Sequence, residues 1–146
     1  MSARDRFVAS ARECLGCPVC WGKRGPGAFD CSGLVAWALK QAGGRDLTLT
    51  HNAQLMFRET PQVGMPLPGD LAFYGFGPHS VEHVAVWVSP EEVISADGAT
   101  SHVTDLALAQ ANPNARVRTH TTVHFRKDLI GIHRNMYVDS VDLICT

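Results

Sequence analysis

The stretch GAFDCSGLVAWALKQAGG, residues 27–44, sets one cysteine between an acidic residue and a small hydroxyl residue, directly ahead of an amphipathic run. From Cys31 onward, Leu34, Val35, Ala38, Leu39 and Ala42 recur at helical spacing, which predicts a helix with one face in a core. Gly43 and Gly44 stop the run, as a left-handed C-cap does. A thiol at residue 31 then stands where unpaired backbone N–H groups and the positive end of the helix dipole favour a thiolate. Such placement lowers a cysteine pKa and makes the sulfur a usable nucleophile near neutral pH. The competing reading is a buried cysteine that merely opens a core helix.

Upstream, Ser2 and Asp5 have capping-box spacing ahead of Phe7, Val8, Ala11 and Leu15, so a first helix is expected to end at Gly16. WGKRGPGAF is a Gly/Pro loop leading to Asp30. Thr50 is expected to cap a short third helix through HNAQLMFRE, closed by Pro61. After MPLPGD the texture changes: residues 70–74, 83–88 and 92–96 are short, β-branched or aromatic, and bounded by turn residues. Thr104 to Ala111 reads as a brief helix, ARVRTHTTVHF and LIGIHRN as one or two strands, and YVDSVDLICT as a segment able to pair at a sheet edge. Helices first and strands afterwards argue an α+β fold with an antiparallel sheet, in one domain over residues 1–146.

The totals agree with a single globular domain. Apolar residues make up 45% of the chain, enough to bury a core, and a net charge of -1 gives no basic footprint for nucleic acid. No stretch approaches a membrane span, and MSARDRFVASARECLG lacks the apolar core of a secretory signal. The expectation is synthesis in the cytoplasm, with export, if any, by a route needing no Sec signal; a chain already trimmed of a signal would look the same. The cysteines at 14, 17, 20, 31 and 145 do not have the spacing of a disulfide scaffold. Cys14, Cys17 and Cys20 lack a fourth zinc ligand and a second knuckle, so they read as packing thiols, with a Cys17–Cys20 or Cys14–Cys20 disulfide as the alternative. No metal or cofactor is expected.

A nucleophilic cysteine needs a base, and the base needs an orienting partner. Of seven histidines, His83 opens the run HVAVWV, where it shares a face with Ala85 and Trp87 at the expected beginning of a strand. His79 and His83 are four apart, but the strand periodicity after His83 and the lack of an intervening H-E-x-x-H glutamate argue against zinc. Asp70 in PGDL reads as a turn residue.

Taken in order, FDCSGLVAWALKQAG, PLPGDLAFYG and HVAVWV resemble the three blocks of the NlpC-type cell-wall endopeptidases, papain-like cysteine peptidases of bacteria and phages. The resemblance runs from about Leu15 to Ala96. It implies a papain-like fold, with N-terminal helices packed on a central antiparallel sheet and the catalytic Cys31 at a helix N-terminus. It further implies His83 as general base and Asp30 and Ser32 as groups that shape the site and hold the substrate's free amino end; Trp21 joins them as a substrate-binding candidate. The Cys31 backbone N–H would be among the oxyanion donors. The implied substrate is the peptide stem of peptidoglycan, cut at a γ-D-Glu–diaminopimelate-type bond.

Three departures from that pattern matter. The third catalytic position, usually histidine, falls on Ser95; Asp97 shares its face and is the preferred acceptor for the His83 Nδ1 proton, with His102 as an outside candidate and an unassisted Cys–His dyad as the alternative. Val19 replaces the tyrosine that many members carry after the proline, which puts the usual preference for an N-terminal L-Ala in doubt. No wall-binding module or signal is recognisable, so the chain resembles stand-alone phage enzymes or injected effectors, the latter implying a delivery or immunity partner. Two other readings stay open: a non-catalytic wall-binding or phage-structural module of the same fold, and a papain-like acyltransferase.

Overall fold

The computed structural model describes residues 1–98 and 105–139. Helix α1 (Ala3–Glu13) starts with the expected capping box, in which the Ser2 side chain accepts from the Asp5 amide and the Asp5 side chain accepts from the Ser2 amide. It ends at Cys14, short of Leu15, which is exposed, while Phe7, Val8 and Ala11 are buried. Helix α2 (Cys31–Gln41) starts at the predicted residue, capped by Asp30, and buries Leu34, Val35, Ala38 and Leu39. Full burial of each large apolar side chain is worth about 1.5–3 kcal/mol, so this helix is pinned by its packing. Helix α3 (Ala53–Glu59) is capped by Asn52, whose Oδ1 accepts from the Leu55 amide, and not by Thr50 as expected. The Thr50 hydroxyl is engaged with His51 Nδ1 at 2.6 Å, which leaves the cap to the amide side chain.

The strands β1 (Asp70–Gly77), β2 (Ser80–Ser89), β3 (Glu92–Asp97), β4 (Arg116–His120) and β5 (Leu129–His133) form one antiparallel sheet in the order β4-β3-β2-β1-β5. A short α4 (Leu106–Ala111), capped by Asp105, joins β3 to β4, and a 3-10 turn at Val123–Phe125 joins β4 to β5. Residues 137–139, expected at a sheet edge, instead belong to the 3-10 turn Met136–Asp139, where Tyr137 and Val138 enter the core. The rest of that tail, including Cys145, lies outside the described residues, as does His102.

The period-two alternation of the strands gives the sheet two unlike faces. Leu71, Phe73, Val84, Val86 and Ile94 join α1 and α2 in the main core. Ala72, Tyr74, Ala85 and Val93 form a smaller cluster on the other face, against Trp87 and Phe125. Asp70 lies buried where the layers meet: it pairs with Arg4 at 2.9 Å and accepts from the amides of Leu67 and Asn135. It thus fixes the turn into β1, as its place in PGDL suggests. The result is the expected α+β architecture, with helices on a central antiparallel sheet.

Candidate active site

The Cys31 end of α2 is built by a few neighbouring residues. Asp30 Oδ1 accepts from the Gly33 amide at 2.6 Å, and Oδ2 accepts from the Gly22 amide at 3.0 Å, so one carboxylate caps the helix and ties down the preceding loop. The Asp30 amide donates to the Lys23 carbonyl at 2.7 Å. A Cβ at position 33 would strike that carbonyl, which explains the glycine in DCSG. Asp30 was expected to hold a substrate amine; both of its oxygens are already engaged by the chain's own donors. Ser32 is buried and donates to Asp30 Oδ1 at 3.3 Å.

The backbone amides of Val84 and Ser32 favour the Cys31 thiolate, as does the nearby Arg126 cation. Burial, joined by the negative charge of Asp30, outweighs all three and pushes the thiol up to about 11. The lowered pKa expected from the helix end is therefore not what the site sets. The dipole and amides are present, but the desolvation they oppose is larger.

His83 lies on β2 opposite Tyr74. The strand begins three residues before it, at Ser80, so the imidazole is held from both sides and not at a strand end as expected. Its Nε2 shares a 2.6 Å hydrogen bond with Ser95 Oγ, and both residues are buried. Burial, reinforced by Arg126, lowers the imidazole to about 3, so it is neutral near pH 7.

Asp97, the expected partner of His83, is committed elsewhere. Its Oδ2 meets His120 Nε2 at 2.6 Å and its Oδ1 faces Arg118 Nε at 3.3 Å. The cause lies in the sheet. The β2–β3 register is last paired at Val86–Ile94, whereas β3 stays paired with β4 through Asp97–Arg116. Asp97 consequently follows β4, where His120 stacks on Phe125 with ring centroids 3.9 Å apart. The Ser95 hydroxyl is left as the group that touches His83.

Cys31 and His83 line one cavity of about 240 Å³, with Val19, Trp21, Asp97 and Arg126 on its walls. A second hollow of about 340 Å³ continues past Cys31 toward Ser32, Arg24, Asn52 and Gln54. Trp21, Asp30, Cys31 and Glu82 border both, so the thiol sits in the floor of a continuous groove. Of the residues singled out in the sequence, Trp21 and Ser32 do line this groove. Arg126 and Glu82 do so without having been foreseen. Arg126 arrives from the 3-10 connection after β4, in a segment whose sequence carries no strand or helix periodicity to aim a side chain.

The other histidines serve elsewhere. His133 is buried, contacts Thr60 Oγ1 at 3.0 Å and packs against Phe57 and Phe73. His51 pairs with Glu59 at 2.7 Å, and His79 and His124 are exposed. Cys14, Cys17, Cys20 and Cys31 are free thiols, with Cys20 buried beside Ala28 and Ala109. Among the described residues no cluster of three His, Cys, Asp or Glu is arranged to hold a metal ion, and no helix is long and apolar enough to cross a membrane.

Comparison with known proteins places this geometry. Residues 16–134 match the model of the NlpC/P60 family. A probable endopeptidase of Corynebacterium glutamicum is 35% identical over 109 residues, covering 73% of this chain. A probable endopeptidase of Mycobacterium bovis is 40% identical over 80 residues (53% of the chain), and the probable endopeptidase p60 of Listeria grayi is 33% identical over 92 residues (62%). The chain spans 49%, 20% and 17%, respectively, of the length of these relatives. Among solved structures, NlpC1 from Trichomonas vaginalis superposes with a TM-score of 0.70 at 21% identity, over 93% of this chain and 44% of that one. RipD from Mycobacterium tuberculosis, described as a non-catalytic NlpC/p60 domain protein adapted to peptidoglycan binding, gives 0.67 at 19% identity, over 93% and 98%. The peptidoglycan hydrolase RipB of the same species gives 0.65 at 20% identity, over 92% and 65%. With a papain-like α+β fold and a family match that spans both Cys31 and His83, the chain belongs to the NlpC/P60 family.

Proposed function

We propose that this protein is a cysteine peptidase that hydrolyses the peptide stem of bacterial peptidoglycan at a γ-D-Glu–diaminopimelate-type bond. The observation that carries the proposal is the shared cavity: Cys31 at the start of α2 and His83, held by Ser95, open onto the same groove. Names of relatives as probable endopeptidases support a wall hydrolase in general terms.

In this reading the resting pair is a neutral thiol and a neutral imidazole, because burial disfavours both charges. His83 Nε2–H donates to Ser95 Oγ, which leaves the Nδ1 lone pair as base. As the Cys31 sulfur attacks the scissile carbonyl, its proton passes to Nδ1, and the Cys31 backbone N–H at the helix start supports the oxyanion. His83 returns the proton to the departing amine as the C–N bond breaks, leaving a thioester. Water then adds to the thioester, giving one proton to His83, and the thiolate leaves and recovers that proton. Trp21 and Ser32 line the peptide track, and Asp30 acts by fixing the loop and helix that frame it.

Digesting purified peptidoglycan and weighing the fragments by mass spectrometry tests activity and bond together. Fragments with a new diaminopimelate amino end are expected; a digest that leaves the wall intact overturns the proposal. A second reading, a wall-binding module, is favoured by one observation: a solved protein of this fold is described as non-catalytic and peptidoglycan-binding. Co-sedimentation with intact wall that is never degraded would favour it.

A further inference from the structure

The groove contains a cation that hydrolysis alone does not require. Arg126 is the only Lys or Arg among the described residues lining the His83 side of the groove, where it shares the wall with Cys31, His83 and Asp97. Its side chain is about one-third exposed, and its position is fixed from two directions. Asp128 grips the Nε–Nη2 edge at 3.0 and 2.8 Å, and the Tyr74 ring lies 5.6 Å beneath the guanidinium carbon. Tyr74 is itself anchored, its hydroxyl donating to the Val123 carbonyl at 2.8 Å.

The Asp128 pair engages two of the five N–H donors a guanidinium carries. Asp128 does not line the cavity, and at His83 the field of Arg126 outweighs that of its partner. Three carboxylates line the same cavity, and among the described residues none pairs with Arg126: Asp97 faces Arg118 and His120, both Asp30 oxygens take backbone amides, and Glu82 accepts from Ser80 Oγ. The wall therefore presents one positioned, partly desolvated guanidinium fork beside Cys31 and His83. Planar guanidinium donors match a carboxylate in geometry as well as in charge.

We propose that Arg126 is a specificity-determining residue that binds a substrate carboxylate next to the scissile amide, so that free-acid stem peptides are cut in preference to amidated ones. The proposal rests on the peptidase reading above. In stems that continue past diaminopimelate two free carboxylates flank the bond, the α-carboxylate of the γ-linked glutamyl residue and the distal carboxylate of diaminopimelate, and both supply the same chemistry.

The test uses L-Ala-γ-D-Glu-diaminopimelyl-D-Ala peptides in three forms: free acid, amidated at the glutamyl carboxylate, and amidated at the distal diaminopimelate carboxylate. With wild-type protein, one of the two amidations is expected to lower kcat/KM about tenfold, the worth of one charge-assisted hydrogen bond at a partly exposed site. Arg126→Gln is expected to abolish that discrimination, mainly through KM for the free acid, and Arg126→Lys to keep part of it. A purely electrostatic effect on Cys31 and His83 would instead slow acid and amide alike and preserve their ratio. Equal rates for all three peptides with wild-type protein, or discrimination that survives Arg126→Gln, overturns the proposal. The same peptides are titrated calorimetrically into Cys31→Ala protein with and without Arg126→Gln. If wild-type protein cleaves none of the peptides, the peptidase reading fails and binding decides. An acid preference that vanishes with Arg126→Gln upholds the carboxylate site, and no Arg126-dependent preference rejects it.

Discussion

The two halves of the site are built in opposite ways. Around Cys31, the cap, the loop tether and the close glycine contact all come from residues 22–33. Around His83 on β2, the contacts come from β1, β3 and the 3-10 connection, with Ser95 12 residues away in sequence and Phe125 more than forty. The first half is local chemistry that any chain with this sequence tends to form. The second exists only when the sheet is correctly registered. The electrostatics of the thiol cross that division: the Val84 amide on β2 favours the thiolate more than the local Ser32 amide does, the adjacent Asp30 carboxylate opposes it, and burial outweighs both amides.

Substitutions separate the two halves. The largest effect is expected on the sheet side. His83→Ala removes the proposed general base and is expected to lower the rate of stem-peptide cleavage by about 10²–10⁴, measured under single-turnover conditions. Retention of near wild-type turnover would mean that another group is the base. Next, Ser95→Ala is expected to cost about fivefold to tenfold in kcat, the worth of one neutral hydrogen bond. Asp97→Asn is expected to change kcat by less than about twofold, because its carboxylate serves His120 and Arg118. The reverse order would restore Asp97 as the partner of His83.

On the helix side the expected effect is on stability more than on proton transfer. Asp30→Ala removes the α2 cap and frees the Gly22 amide, at about 1–2 kcal/mol, seen as a fall of a few degrees in Tm. An unchanged Tm would show that packing of Leu34 and Leu39 alone sets the helix start. The smallest and most diffuse effect is on pH dependence. His83 titrates near 3 folded and about 6.5 unfolded, so between these values the unfolded chain binds more protons. Stability contributed by the neutral imidazole is present above about 6.5 and is lost as pH falls toward 3. His133, also lowered by burial, acts in the same direction. Thermal melts should decline from about pH 6 downward, and His83→Gln should flatten part of that slope. A decline confined to the carboxylate range would show that the buried imidazole does not contribute.

What was legible in the sequence follows the same division. The capping box at Ser2, the span of α2 and the positions of the central strands are written in short-range spacing, and the ordered Cys and His blocks identified the family. Thr50 misled because its hydroxyl has a closer partner in His51. Asp97 misled because period-two alternation assigns a face but not a neighbour; which strand holds β3 at its end is a property of the whole sheet. Arg126 was missed because it sits in an irregular connection, where no periodicity indicates direction.

The central claim is that Cys31 is the nucleophile of a hydrolytic centre completed by His83 and Ser95. The most direct measurement compares wild-type and Cys31→Ala protein, both verified as folded, for release of new amino ends from purified muropeptides. The account predicts steady release by the wild type and none above background by Cys31→Ala. Equal release by the two proteins would contradict it.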